Sequence, residues 1–337
     1  MDIVWLVAAF GGGAFGAAIG GQTAFIFTGL LYLAGLGGFL GGYDASAFMT
    51  DIVFGPVFGP HIAFAGGATA AAYAARRNYM PAGVNGRDIV TPLAGLAKLD
   101  VYVVGGLTGM VGYLLNLGII SILPNIASNP QINYNDKEVY GSTDTVALTI
   151  IIIAIVTRFA FGRTGMFSTK SHPLFAVGEG KHWVAHQETW ALSAGHGLFI
   201  GLISGFGTLS LIQNFYETVP GIAGWAQLIG WGFTAVTLVL LTCGLPTPVT
   251  HHMALIGSIA ALHFAAIIAG SSDPSTWTSG SVVSALLLGG AFGAFTGVLG
   301  EALARATCSN GDTHIDPPAF AIFINTTLLY GIFAVLS

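Results

Sequence analysis

The sequence predicts an all-α polytopic membrane protein, with about ten transmembrane helices in two inverted-topology repeats of five. Three observations predict it. Charged residues are 7% of the 337 and hydrophobic residues 54%, whereas about 25% of an ordinary soluble domain is charged, so the solvent of this chain is lipid. Apolar runs long enough to cross about 30 Å of hydrocarbon recur from end to end. The chain also matches itself, with three anchors appearing twice in the same order.

The apolar runs fall at 3–20, 23–40, 61–75, 92–118, 146–161, 191–213, 221–241, 253–269, 281–304 and 319–336. The runs at 61–75 and 253–269 are short and read as half-helices behind broken segments. Met1-Asp2 brings no basic flank to the first run, so that run reads as a span and not as a cleaved leader. With the amino terminus outside, Arg76, Arg77, Arg87, Lys98, Arg158, Arg163, Lys170, Lys181 and Arg305 lie on or near the cytoplasmic side, and Lys137 alone lies outside. Short loops orient membrane proteins by this Lys/Arg bias. The layout expected is an integral protein of the plasma membrane with both termini outside.

The self-match pairs 59–66, then Ala74-Ala75, with 250–257, then Ala265-Ala266. Gly105, Thr108, Gly109 and Gly112 fall on Gly293, Thr296, Gly297 and Gly300, and Asp144-Thr145 falls on Asp312-Thr313. An odd number of spans per unit turns the second unit upside down relative to the first. The division expected is a first repeat at 1–162, a cytoplasmic linker at 163–189 and a second repeat at 190–337. The segment 123–143 has no counterpart and reads as an extracellular insertion. Glycines in steps of four, Gly12-Gly16-Gly20, Gly197-Gly201-Gly205 and Gly289-Gly293-Gly297, give smooth helix faces for close packing in lipid.

Candidate pathway residues follow from what a membrane interior penalises. Pro56 and Pro60 precede the third run, and Pro246 and Pro248 the eighth, followed by Thr250. Proline cannot continue a regular helix, and backbone freed at membrane depth survives only inside protein or beside a wet cavity. The two segments are expected to meet near the midplane, half-helix N-termini inward, where polar or anionic groups are favoured. His61 and His252 hold equivalent places there with His251 alongside, and are expected to face one cavity. Thr108 and Thr296 sit in the matched glycine-rich runs. Glu301 is an intramembrane carboxylate that Arg305, four residues on, is placed to pair. Lys98 and Asp100 read as an interfacial pair.

Asp144, Asp312, His314 and Asp316 read as gate or coupling groups, with plain N-capping by Asp144 and Asp312 the simpler role. His182 and His186, with Trp183 and Trp190 beside them, read as an amphipathic segment on the membrane surface. They lack the further ligand and acid that a zinc site requires. No nucleotide-binding loop, dinucleotide fingerprint or nucleophile elbow is present, and nothing points to an enzyme, a cofactor, a metal or nucleic acid. Cys243 and Cys308, both on the expected cytoplasmic side, do not read as a disulfide. The partners expected are the lipid bilayer and a small polar or anionic solute or ion, in a homo-oligomer or membrane complex. A secondary carrier is favoured over a channel, and an ion-conducting subunit of a larger complex is the alternative.

Overall fold

The computed structural model of the chain describes residues 2–123, 142–167, 172–219 and 221–336. The helices are α1 (Ile3–Ile19), α2 (Gly21–Leu40), α3 (Ala63–Arg76), α4 (Leu99–Ile120), α5 (Thr145–Phe161), α6 (Trp190–Phe215), α7 (Ile222–Ala226), α8 (Ile229–Val236), α9 (Leu238–Thr242), α10 (His251–Ala269), α11 (Ser279–Leu303) and α12 (Pro317–Leu336). The described residues contain no strand, only an isolated bridge between Gly86 and Thr313. Among the described residues seven helical segments are long and apolar enough to cross a membrane, and α1 and α5 are shorter apolar helices. The expected insertion at 123–143 lies almost wholly outside the described residues.

The helices are built inside out relative to a soluble protein. On α4 the exposed side chains are Val103, Leu107, Val111, Leu114 and Leu117, while Gly105, Thr108, Gly109, Gly112 and Asn116 are buried. On α6, Phe199, Ile203 and Phe206 point outward and Ser193, Gly197, Gly201, Ser204 and Thr208 inward. Large apolar groups outside with small and polar groups inside is the arrangement that lipid favours. The chain is an α-helical membrane protein.

Small residues set the two cores, and the cores repeat one another. In the first, α1, α3 and α4 touch backbone to backbone: a Cβ on Gly13 would stand 2.3 Å from the Gly105 carbonyl oxygen, and one on Gly66 2.8 Å from Gly13. In the second, α6, α10 and α11 do the same. A Cβ on Gly201 would stand 2.5 Å from the Gly289 oxygen, and one on Gly257 2.5 Å from Gly201. The matched threonines also behave alike. Thr108 donates to Val104 O at 2.8 Å and Thr296 to Phe292 O at 2.7 Å, so both hydroxyls are satisfied within their own helices.

Helix α2 packs against α7–α9 and α5 against α12, and both pairs run antiparallel. Gln22, Gly29 and Tyr32 ascend α2 while their partners Leu238 and Thr242, Ala235, and Trp225 descend the other half. Likewise Thr143, just before α5, meets Thr326 of α12, whereas Arg158 near the end of α5 meets Thr313, just before α12.

Several expectations need correction. The run at 221–241 is three helical pieces, because side chains from elsewhere take the carbonyls at its breaks: Tyr32 those of Trp225, Thr208 those of Ala226 and Gln22 those of Leu238. Inserted side chains of this kind interrupt a helical ladder. Conversely α10 is no half-helix. It spans 19 residues, about 28 Å of rise, and only α3 is short. Helix α4 begins at Leu99, not at 92, after a left-handed Ala97 with φ 51°. Gly20 is a junction and not part of a packing face; its φ of 88° turns the chain directly from α1 into α2, a conformation glycine adopts without strain.

Among its described residues the linker forms no helix. Val184, Gln187 and Glu188 are buried. The Gln187 amide donates to Val249 O at 3.1 Å and accepts from Val249 N at 2.7 Å, and His186 Nε2 sits 2.9 Å from Thr247 O. These bonds occupy the non-helical backbone of 243–250, which a membrane interior would otherwise leave unsatisfied.

Candidate functional site

A cavity of about 360 Å³ lies between the halves. Its walls come from α1–α5, α7–α10 and α12, with Thr50, Phe54, Pro60, Ile89, Trp183 and Val249 from connecting segments. They are largely apolar, with Trp5, Phe25, Phe54, Phe64, Trp183, Trp225 and Trp231 all facing it. Phe54 stacks on Trp225 at 6.1 Å between centroids, and Phe25 meets Trp231 edge-on at 5.2 Å. The polar lining is sparse: Gln22, Thr50, Asn116, Asp144, His251 and Asp316, with no Lys or Arg.

The two carboxylates hold equivalent places at opposite ends. Asp144 caps α5 by accepting from Ala147 N at 2.8 Å, and Asp316 caps α12 by accepting from Ala319 N at 2.7 Å. Because Asp144 N bonds Thr326 Oγ1, ten residues along α12 from Asp316, the caps are separated by about 15 Å of helix rise. This corrects the register of the last anchor: the structural partner of Asp144 is Asp316, not Asp312. Asp312 caps no helix. It accepts from Arg163 N at 2.6 Å and from Thr164 Oγ1 at 2.8 Å and lies 3.9 Å from Arg158.

The ends differ in charge. Asp316 is held 2.9 Å from His314 Nε2, whose Nδ1 lies 3.7 Å from Cys308 Sγ. Burial opposes protonation of His314, but Cys308 and the bond to Asp316 outweigh it and lift the imidazole to about 9. Burial likewise raises the Asp316 carboxyl, yet His314 and His251 hold it below the usual range. That end is a neutralised pair. Among the described residues Asp144 has no such cation, and Ser142 stands where His314 stands relative to its aspartate.

The histidines do not share this cavity as expected. His251 lines it, its ring 4.7 Å from that of Phe25. His61 is buried with an unpartnered Nδ1 in the turn before α3, its carbonyl packed against Gly112, and Pro60 reaches the cavity instead. His252 faces Gly300 and a separate crevice containing Glu188 and Glu301. One helical step, about 100° of rotation, separates His251 from His252, and adjacent residues cannot both face one point. Of the prolines, the Pro56 carbonyl abuts Gly12, Pro246 is exposed and Pro248 is half-buried. Thr250 is buried at the start of α10 and makes no side-chain cap bond. Glu301 pairs with Arg305, which also bonds Glu188 O and lies over the Trp190 ring. Asp100 accepts from Tyr73 and Tyr79 at 2.9 and 3.1 Å, and Lys98 lies over the Tyr79 ring, an interfacial cluster in place of the simple pair.

Arg158, counted in the sequence only as a cytoplasmic marker, is 1% exposed. It donates to Thr313 Oγ1, Thr313 O, Thr307 O and Gly165 O at 2.5–2.9 Å. Asn116 and Gln22 were also overlooked. A lone amide in an apolar run needs a partner in the membrane, and that signal was present for both.

No curated protein and no solved structure matches the chain. One family model does, and does so twice, over residues 1–177 and again over residues 175–337. The chain belongs to that family, the Family of unknown function (DUF7973).

Proposed function

We propose that the chain is a membrane transport protein, a carrier and not an enzyme, in which two inverted five-helix units pass a small polar solute or ion through the cavity between them. The observation that carries this reading is that both antiparallel pairs of equivalent helices wall one cavity. Inverted repeats with a site at their interface and irregular helices beside it are the architecture of alternating access. Broken backbone at 54–62, at 243–250 and within α7–α9 gives each half segments able to bend. The double family match, meeting at 175–177 inside the 163–189 linker, supports a duplicated unit.

The basic side chains support the orientation. Arg87 bonds Lys181 O and Ser309 O, Arg158 bonds Thr307 O, and Arg305 bonds Glu188 O, so one end of the molecule gathers them. We assign that end to the cytoplasm of the plasma membrane, with both termini outside.

Two experiments test the proposal. Reconstituted into liposomes, the chain should admit at least one of rubidium, glycerol and a protonated amine well above empty vesicles, and no flux of any would count against transport. For the layout, cysteines replacing the exposed Tyr43 and Glu217 should react with a membrane-impermeant thiol reagent applied to intact cells. A cysteine replacing Glu179 and the native exposed Cys243 should be spared until lysis. Labelling of Tyr43→Cys together with Glu179→Cys on intact cells contradicts the inverted arrangement.

A further inference from the structure

We infer that the cavity selects an organic ammonium ion, held at the Asp144 end by the carboxylate and by the side-chain oxygen of Asn116, with its apolar body among the tryptophans. The inference rests on reading the cavity as a transport site and names the class of solute that site takes.

One Asp144 oxygen caps α5, and among the described residues no side chain partners the other. Asn116 is nine-tenths buried and lines the same cavity. As placed, its Oδ1 lies 3.3 Å from Thr149 Oγ1, and the other amide atom has no partner among the described residues. Which amide atom is which follows from the hydroxyl. Thr149 has a single proton to give, and it gives it to Thr145 O at the shorter distance of 2.8 Å. Thr149 Oγ1 is therefore an acceptor toward Asn116, so the amide nitrogen donates to it and the amide oxygen is the atom left to the cavity. Nitrogen and oxygen of such an amide are assigned from the bonding network in this way. Thr149 stands five residues along α5 from Asp144, about 7.5 Å of rise. Two unfilled acceptors thus flank one end of the cavity and call for a donor.

The remaining lining says what kind of donor. A bare alkali ion requires a shell of several oxygens, and this wall is mostly carbon. Aromatic faces attract cations, and a volume of about 360 Å³ holds a small organic molecule. An anion is disfavoured. The N-termini of α5 and α12 already carry Asp144 and Asp316, and the α10 terminus beside His251 lies in the field of Asp316. Of the two cavity carboxylates, Asp144 is the one without a counter-cation among the described residues.

Binding to the purified full-length chain in lipid nanodiscs tests this, read from the emission of the four cavity tryptophans. The probes are phenethylammonium, neutral 2-phenylethanol and 3-phenylpropionate. The ammonium should saturate the signal with at least about tenfold higher affinity than the alcohol, since a charge-assisted bond replaces a neutral one. The carboxylate should bind most weakly. Asp144→Asn retains an N-cap, and should remove the preference for ammonium over alcohol while leaving alcohol binding unchanged. Asn116→Asp supplies a second charge and should tighten ammonium binding severalfold, a gain that misfolding cannot mimic. Equal affinity for ammonium and alcohol, preference for the carboxylate, or an unchanged profile in both variants overturns the assignment. Ammonium binding without flux overturns the transport reading and leaves the ligand assignment standing, whereas flux of another solute without ammonium selectivity does the reverse.

Discussion

Arg158→Met is expected to cost about 3–5 kcal/mol, the usual penalty for removing one partner of a buried charged network, and to prevent recovery of a monodisperse protein. The methionine fills the volume, but the carbonyls of Gly165, Thr307 and Thr313 and the Thr313 hydroxyl lose their donor. They lie where the end of α5 holds the π-helical turn Ala304–Ser309 and the approach to α12, so the loss falls on the joint between the halves. Arg163→Met is the control, because Arg163 is exposed and contributes to Asp312 through its backbone N–H. Thermal unfolding in detergent should shift by several degrees or more for the first variant and little for the second. Similar shifts for both would remove Arg158 from the role assigned to it.

Gly293→Val should be nearly as damaging. A Cβ there would lie 2.2 Å from the Gly197 carbonyl oxygen, a contact with backbone that no rotamer relieves. Helices α6 and α11 must separate, and overpacking commonly costs about 1–3 kcal/mol or more. The separation also propagates to α10 through Gly201 and Gly257. Gly195→Ala, on the same helix α6 but with open space around it, should be neutral or gain up to about 1 kcal/mol of helix propensity. Melting temperatures of the two variants check this, and equal tolerance would mean that the glycine rows are not packing surfaces.

Much of this fold was legible in the sequence because lipid leaves few alternatives. Every apolar run carries helix, and the glycine and threonine anchors of α4 and α11 occupy matching positions. What was not legible depended on distant partners. The breaks in α7–α9 are made by Gln22, Tyr32 and Thr208 from other helices, so the apolar run at 221–241 contains no sign of them. The aspartate register slipped because Asp312-Thr313 copies Asp144-Thr145 letter for letter, although the cap is set by which carboxylate reaches the first turn of α12. The sequence match pairs His252 with His61, yet its neighbour His251 is the one that reaches the cavity, because a one-residue step on a helix changes the face presented. The tryptophans went unread as a group because the cavity draws them from opposite halves of the chain.

The most direct test of the transport reading blocks the cavity after folding is complete. Ala319 lines it, and a single cysteine there, in a chain whose exposed Cys243 is replaced by serine and whose Cys308 stays buried, permits reversible filling. Proteoliposomes bearing Ala319→Cys should carry a solute that the unmodified chain carries. Treatment with a benzyl methanethiosulfonate should lower the flux by at least about tenfold, as expected when a bulky group fills a packed pathway, and reduction should restore it. Complete modification of Ala319→Cys, verified by mass, with flux unchanged would contradict a pathway through this cavity.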